Sequence, residues 1–136
     1  IRHIGVSNFD REYMEEAMHF TKHPIVANQF RLSLSFRASE RQGLLRHAQE
    51  NDWMFIAWRP IRDVLRMKEM PAILKEVCDK YKKTPVQIAI NWLISQKNVV
   101  TLVKCGSENH LEEALGALNW SMEKDDIESL RSDFGV

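Results

Sequence analysis

The sequence has no run of 18 apolar residues, so no membrane span is expected. It also lacks a surplus of either charge. Its 19 Lys and Arg balance 19 Asp and Glu, for a formal net charge of +0. Without a basic field, nucleic acid is not an expected partner. Cysteine is scarce: Cys78 and Cys105 are the only two, too far apart for a C-x-x-C pair. That favours a reduced, cytoplasmic setting over a disulfide framework. His3, His19, His23 and His47 are scattered without metal-ligand spacing, so no metal site is expected. There is no low-complexity stretch and no linker. No initiator Met and no signal peptide stand at Ile1, so the expectation is a processed or excised piece of a longer protein.

What is present is ordinary for a globular domain. The chain has 136 residues, 44% hydrophobic and 28% charged, and reads as one domain over 1–136. A chain of this size buries roughly two-thirds of its unfolded surface. Four short apolar segments lack alternation: Ile4 to Val6, Ile25 to Phe30, Trp53 to Trp58 and Val99 to Val103. Such runs fit parallel strands buried on both faces. Between them lie helical patterns. Met14, Ala17, Met18 and Thr21 share one face, behind a cap at Asp10. Leu44, Leu45 and Ala48 follow an S-x-x-Q box at Ser39 and Gln42. Ile73, Leu74, Val77, Cys78 and Tyr81 line the next helix, and Ile88, Ala89, Trp92 and Leu93 the one after, which starts at Thr84-Pro85 with Gln87 as box partner. Leu111, Ala114, Leu115 and Leu118 form a further face. Ile127, Leu130 and Phe134 form the last, with Asp125 and Asp126 in its first turn. Arg59 to Glu69, containing Pro60, reads as the longest loop. Parallel strands need helical crossovers, so the pattern is a (βα)4 unit with an extra C-terminal helix. Periodicity leaves open whether this is a small open sheet or half of an eight-stranded barrel.

In either case ligands meet the carboxyl ends of the strands. There the sequence places Ser7-Asn8, Gln29, Trp58-Arg59-Pro60 and Lys104-Cys105-Gly106-Ser107. Ser7, Asn8 and Gln29 can bond a neutral carboxamide. Trp58 offers a flat face to a ring. Lys104 can pair with phosphate, and the amides at Ser107 open a helix that can hold an anion. Each also has a plain structural use: a polar turn for Ser7-Asn8, a bonded interior amide for Gln29, core for Trp58 and a solvated rim for Lys104. For Arg59, phosphate contact and loop capping both remain open.

The strings GVSNF, ANQF, AWRPI, KTPVQIAINWLI and LVKCGSENHLEEALGAL, in this order, resemble the second half of an aldo-keto reductase. The resemblance covers Ile1 to about Phe134. It implies an α/β fold of the (β/α)8 TIM-barrel type, with this chain supplying strands five to eight. It implies nicotinamide contacts at Ser7, Asn8 and Gln29, ring stacking on Trp58 where the family usually has Tyr, and phosphate contacts at Lys104. The cofactor implied is NADP, with NAD as the alternative. Three positions depart from the family: Cys105 for the usual Ser, His110 for an Arg on the 2′-phosphate, and Ala114 for an Asn on adenine. Neutral His is no substitute for a bidentate Arg. The family's catalytic Asp, Tyr, Lys and His come from the first four strands. Tyr13 and Tyr81, the only tyrosines, lie in helical patterns away from the rim. The expected function is thus a piece of an NAD(P)H-dependent oxidoreductase, inactive alone. The alternative is a non-catalytic reductase-fold domain for nucleotide sensing or assembly. A half-barrel has two free edges and a bare inner face, here Val6, Ala27, Ile56 and Leu102. The expected partner is therefore the missing N-terminal half or a second copy in a homo-oligomer.

Overall fold

A computed structural model describes residues 1–134. Four strands form one parallel sheet in the order of the chain: β1 (Ile4–Ser7), β2 (Ile25–Arg31), β3 (Met54–Trp58) and β4 (Val99–Leu102). Helices α1 (Arg11–Phe20), α2 (Ala38–Arg41), α3 (Leu44–Glu50), α4 (Ala72–Tyr81) and α5 (Pro85–Ile94) make the crossovers. Helices α6 (Glu108–Leu115) and α7 (Lys124–Asp133) follow β4. The expected (βα)4 unit with a terminal helix is therefore the fold observed. The long loop after β3 contains a single 3-10 turn, Val64–Arg66.

The register sorts the strand residues onto two faces, because paired residues of parallel strands share a face. Asn28, Phe30, Phe55, Ala57 and Val99 are buried under the helices. Gly5, Ala27 and Met54 form one row of the other face; Ser7, Gln29, Ile56 and Val100 form the next; Arg31, Trp58 and Leu102 form the last. Among the described residues no helix covers this second face, and Met54, Val100 and Leu102 are exposed. Ala27, Ile56 and Leu102 lie there as expected. Val6 does not. A register shift between Ile4 and Gly5 sets Val6 opposite Asn28, on the helix side, and leaves Gly5 and Ser7 to the open face.

Helix α5 anchors the core. Seven of its ten residues are buried, and Trp92 is fully so. Its start is the expected capping box: Thr84 Oγ1 accepts from the Gln87 amide at 3.2 Å, and Gln87 Oε1 accepts from the Thr84 amide at 3.1 Å. Its buried Asn91 Nδ2 donates to the Ala117 and Trp120 carbonyls, each at 2.9 Å. Trp92 Nε1 donates to the Ile127 carbonyl at 3.1 Å, which draws α7 onto the core with Leu130 and Phe134. Asp10 caps α1 as expected, accepting from the Tyr13 amide at 2.9 Å.

Two local expectations fail. Ser39 and Gln42 do not form a box before α3. Ser39 sits inside α2, its hydroxyl donating to the Arg31 carbonyl at 3.1 Å, and Gly43 at φ 75° is the N-cap of α3. The apolar face of α6 is not buried either. Leu111 and Leu115, and Leu118 just past the helix end, are 47, 53 and 44% exposed, because no further unit lies beyond β4 among the described residues. Only Ala114 packs inward, against the cluster of Val86, Ile90 and Ala117.

Candidate functional site

The site is built where the strands end. At the end of β1 the chain turns sharply, with Asn8 at φ 58°, a conformation Asn tolerates better than most residues. The Asn8 amide donates to the Gln29 carbonyl at 2.8 Å. The Ser7 hydroxyl reaches the same carbonyl at 3.5 Å, and Asn8 Nδ2 donates to Ser7 Oγ at 3.3 Å. Behind this turn stands a residue the sequence reading passed over. Asn28, buried at 3% exposure, donates from Nδ2 to the Phe9 carbonyl at 2.8 Å and accepts from the Phe9 amide at 3.4 Å. A second amide, directly before Gln29 in the same strand, was the available signal. Among the described residues, the Gln29 side-chain amide and Asn8 Oδ1 have no hydrogen-bond partner. They are thus free for a ligand.

Three cavities follow along the rim. The first, about 290 Å³, is lined by Asn8, Arg31, Phe36 and Trp58 among others. The second, about 610 Å³, runs from Arg59 to Lys104 and includes Arg62, Arg66 and Leu102. The third, about 260 Å³, takes in Lys104, Gly106, His110 and Glu113, with apolar walls from Val86 and Val103. Consecutive Trp58 and Arg59 join the first to the second, and Lys104 borders both the second and the third. The Arg59 guanidinium lies 5.0 Å from the Trp58 ring centre. A helix opens at Ser107 as expected, and the Ser107 hydroxyl caps it by accepting from the His110 amide at 3.3 Å, while Cys105 Sγ donates to the His110 carbonyl at 3.7 Å. Cys105 and His110 are both exposed.

The electrostatics of the second cavity were not expected. Its charged lining is Arg59, Arg62, Arg66 and Lys104, with no carboxylate. The nearby Asp63 is turned elsewhere: it pairs with Arg31 at 3.2 Å and accepts from the Ser33 hydroxyl. Arg31 also lies 3.8 Å over the Phe36 ring, bracing the β2 end against the loop. The Arg62 guanidinium is held below its usual basicity, first by the charge of Arg66 and then by that of Arg59. Arg62 and Arg66 sit four residues apart, a spacing that a loop assignment gave no reason to read.

Neither tyrosine reaches this rim. Tyr13 is exposed on α1. On α4, the Tyr81 hydroxyl donates to Asp126 Oδ2 at 2.5 Å and accepts from the Glu123 amide at 2.8 Å. Among the described residues, no cluster of His, Cys, Asp and Glu could hold a metal ion, and no helix is long and apolar enough to cross a membrane.

Comparison with known proteins agrees with the geometry. The model of the aldo/keto reductase family matches residues 1–132. Aldo-keto reductase family 1 member C18 of Rattus norvegicus is 31% identical, over 93% of this chain and 42% of its own length. The uncharacterized oxidoreductase YtbE of Bacillus subtilis is 25% identical, over 93% of this chain and 43% of its own. Among solved structures, the thermostable aldo-keto reductase Tm1743, in complex with the inhibitor epalrestat, superposes with a TM-score of 0.90 at 36% identity, over 97% of this chain and 48% of that one. Gox0644 in complex with NADPH shares the fold, with a TM-score of 0.80 at 24% identity. The chain thus spans less than half the length of the relatives it matches.

Proposed function

The chain belongs to the aldo/keto reductase family, and from that premise we propose that it is the nicotinamide-holding part of an NAD(P)H-dependent carbonyl reductase. The carrying observation is the order of groups along one rim: the unpartnered Asn8 Oδ1 and Gln29 amide, an aromatic face at Trp58, cations at Arg59 and Lys104. That order fits a nicotinamide dinucleotide read from carboxamide to phosphates. Ser7, Asn8 and Gln29 would hold the carboxamide, and Trp58 would stack on the ring. Arg59 and Lys104 would take phosphate charge. Ser107, Cys105 and His110 would border the adenosine end. When bound, such a cofactor supplies a hydride.

The chain's own residues orient the ring and exclude water from one side of it. Asn28 fixes the Ser7-Asn8 turn, so the carboxamide would be gripped by groups already in place. Protonation of the substrate oxygen needs an acid at the rim. Tyr81 is bound to Asp126 and Glu123 instead, and Tyr13 lies outside on α1. On this reading the acid comes from the other strands of the barrel, with this chain as strands five to eight. The isolated chain then turns over no carbonyl substrate.

The test is titration of NADPH into the full-length protein, followed by tryptophan fluorescence. Quenching that is lost in Trp58→Ala supports the reading. No change at millimolar cofactor rejects it.

A further inference from the structure

We infer that His47 is a positioning residue for the carboxamide grip: through one water in a small cavity behind the Ser7-Asn8 turn it steadies Asp10 and Asn28, and a second proton on its ring loosens that support. This rests on the nicotinamide reading and adds to it a control on affinity.

Where the start of α1 meets β2 and α3, a cavity of about 10 Å³ remains, about the least that holds one water. The side chains that bring polar groups to it are Asp10, Asn28 and His47; its other walls are apolar, Met14 and Trp53 among them. Asn28 already bonds both backbone groups of Phe9, and Asp10 gives one carboxylate oxygen to the Tyr13 amide. His47 Nε2 is different. It is buried and, among the described residues, has no hydrogen-bond partner. Such nitrogens are rare, because their lost hydration goes uncompensated. One water in the cavity, shared with Asp10, compensates it. The ring packs edge-on against Trp53, centres 5.0 Å apart, which limits its rotation.

The other ring nitrogen makes the position sensitive to protons. Asn51 Nδ2 lies 3.3 Å from His47 Nδ1 and 2.9 Å from the His47 carbonyl. The carbonyl bond fixes the amide with its nitrogen toward the ring, so Nδ1 accepts and Nε2 carries the proton. A second proton sets donor against donor at Nδ1. The charged groups around the ring are Asp10 on the cavity and Glu50, on which Arg46, Arg11 of α1 and His47 all act. A charged ring loses the Asn51 bond and turns to the Asp10 carboxylate, in competition with the Tyr13 amide. Asp10 follows Phe9 in the chain and Phe9 follows Asn8, so a weakened cap reaches the turn directly. Neutral His47 thus goes with a firm grip and charged His47 with a loose one. By linkage, a bound cofactor must in turn hold His47 neutral.

The experiment is NMR of the histidine rings in the full-length protein. NADP⁺ affinity is measured alongside by tryptophan fluorescence from about pH 8 to about pH 5.5, in wild type, His47→Gln and His47→Phe. The variants also identify the His47 signal. Neutral wild-type His47 shows the Nε2–H tautomer. Its charging weakens NADP⁺ binding about fivefold or more, and saturating NADP⁺ shifts its titration to lower pH by the same factor. His47→Gln keeps a neutral donor and loses this share of the fall in affinity. His47→Phe loses it too, and binds more weakly than His47→Gln at every pH. If His47→Phe fails to fold, His47→Gln and the ring titration carry the test. Affinity that falls alike in wild type and His47→Gln overturns the proposal. So does a ring titration that NADP⁺ leaves unmoved. If NADP⁺ binds at no pH, while charging of His47 still shifts the Phe9 and Asn28 amide signals and His47→Gln abolishes that shift, the link to the turn stands and the nicotinamide reading falls.

Discussion

At the scale of single residues, the nicotinamide reading gives Asn8 two duties that substitution can separate. Its backbone sits at φ 58° while its side chain faces the rim. Asn8→Ala keeps neither advantage and should lose about 1–2 kcal/mol of stability, measured as a shift in urea midpoint. Asn8→Gly relieves the backbone and removes the amide, so stability should hold within a few tenths of a kcal/mol. Nicotinamide binding should weaken in both. If Asn8→Gly binds as the wild type does, Asn8 is a turn residue only. The place of Ser7, Asn8, Gln29, Trp58, Arg59 and Lys104 at one rim was legible in the sequence because strand ends can be located from apolar runs, and a parallel sheet collects those ends. Asn28, Arg62 and Arg66 were not. The role of Asn28 depends on which face the register gives it. The cationic lining that Arg62 and Arg66 give the second cavity depends on the path of a loop, and on Asp63 being drawn away to Arg31 and Ser33.

At the scale of elements, α5 and its surroundings hold the rim in place. Gly116 lies against the capping box: a Cβ there would stand 2.1 Å from Gln87 Nε2. Gln87 also donates to the Glu113 carbonyl at 3.2 Å, so it is not free to withdraw. Gly116→Ala should therefore break the box and cost about 1 kcal/mol, while Thr84→Ala should cost about the same. The double variant should cost less than the sum, a coupling measurable by denaturant cycles. Helix α7 is clamped to α4 by Lys80, whose ammonium lies 2.8 Å from both Glu123 and Asp126. Burial raises the Asp126 carboxyl, but the bonds from Lys80 and Tyr81 outweigh it and hold it below its usual value. The same clamp raises Lys80, chiefly through Asp126. A depressed carboxyl contributes stability above its unfolded value, lost as pH falls through the folded one. A raised ammonium contributes below its unfolded value, lost as pH rises beyond it. Stability from this clamp should thus be level between about pH 5 and about pH 9 and fall on the acid side. Asp126→Asn should flatten that acid limb in urea midpoints measured against pH. Caps and apolar faces announced most of these elements beforehand, the Thr84 box most plainly. The Ser39 box failed because a distant acceptor, the Arg31 carbonyl, took the hydroxyl that a local box would have used. For α6 the periodicity located the apolar face but carried no information on what covers it.

At the scale of the whole molecule, apolar surface is concentrated at the two sides of the sheet. Tyr13, Met18 and Phe20 lie exposed at the β1 side, and Val100, Leu102, Leu111, Leu115 and Leu118 at the β4 side. On the reading above, the rest of the barrel covers both. The isolated chain should therefore self-associate in sedimentation experiments at micromolar concentration, and L111E/L115E should reduce it. Both sides also carry acids, Glu12, Glu15 and Glu16 on α1 and Glu108, Glu112 and Glu113 on α6. Salt should thus strengthen the association by screening repulsion between copies; weakening by salt would contradict it. The return of α7 onto α5 has a consequence for synthesis. Trp92 waits for Ile127, 35 positions later in the chain, to accept its indole proton, and Leu130 arrives later still. On the ribosome, the sheet can pair in the order it emerges, each strand beside the one before. The helix that seals the largest buried side chain emerges after all four strands, so the nascent chain carries an open hydrophobic seam until that helix is made.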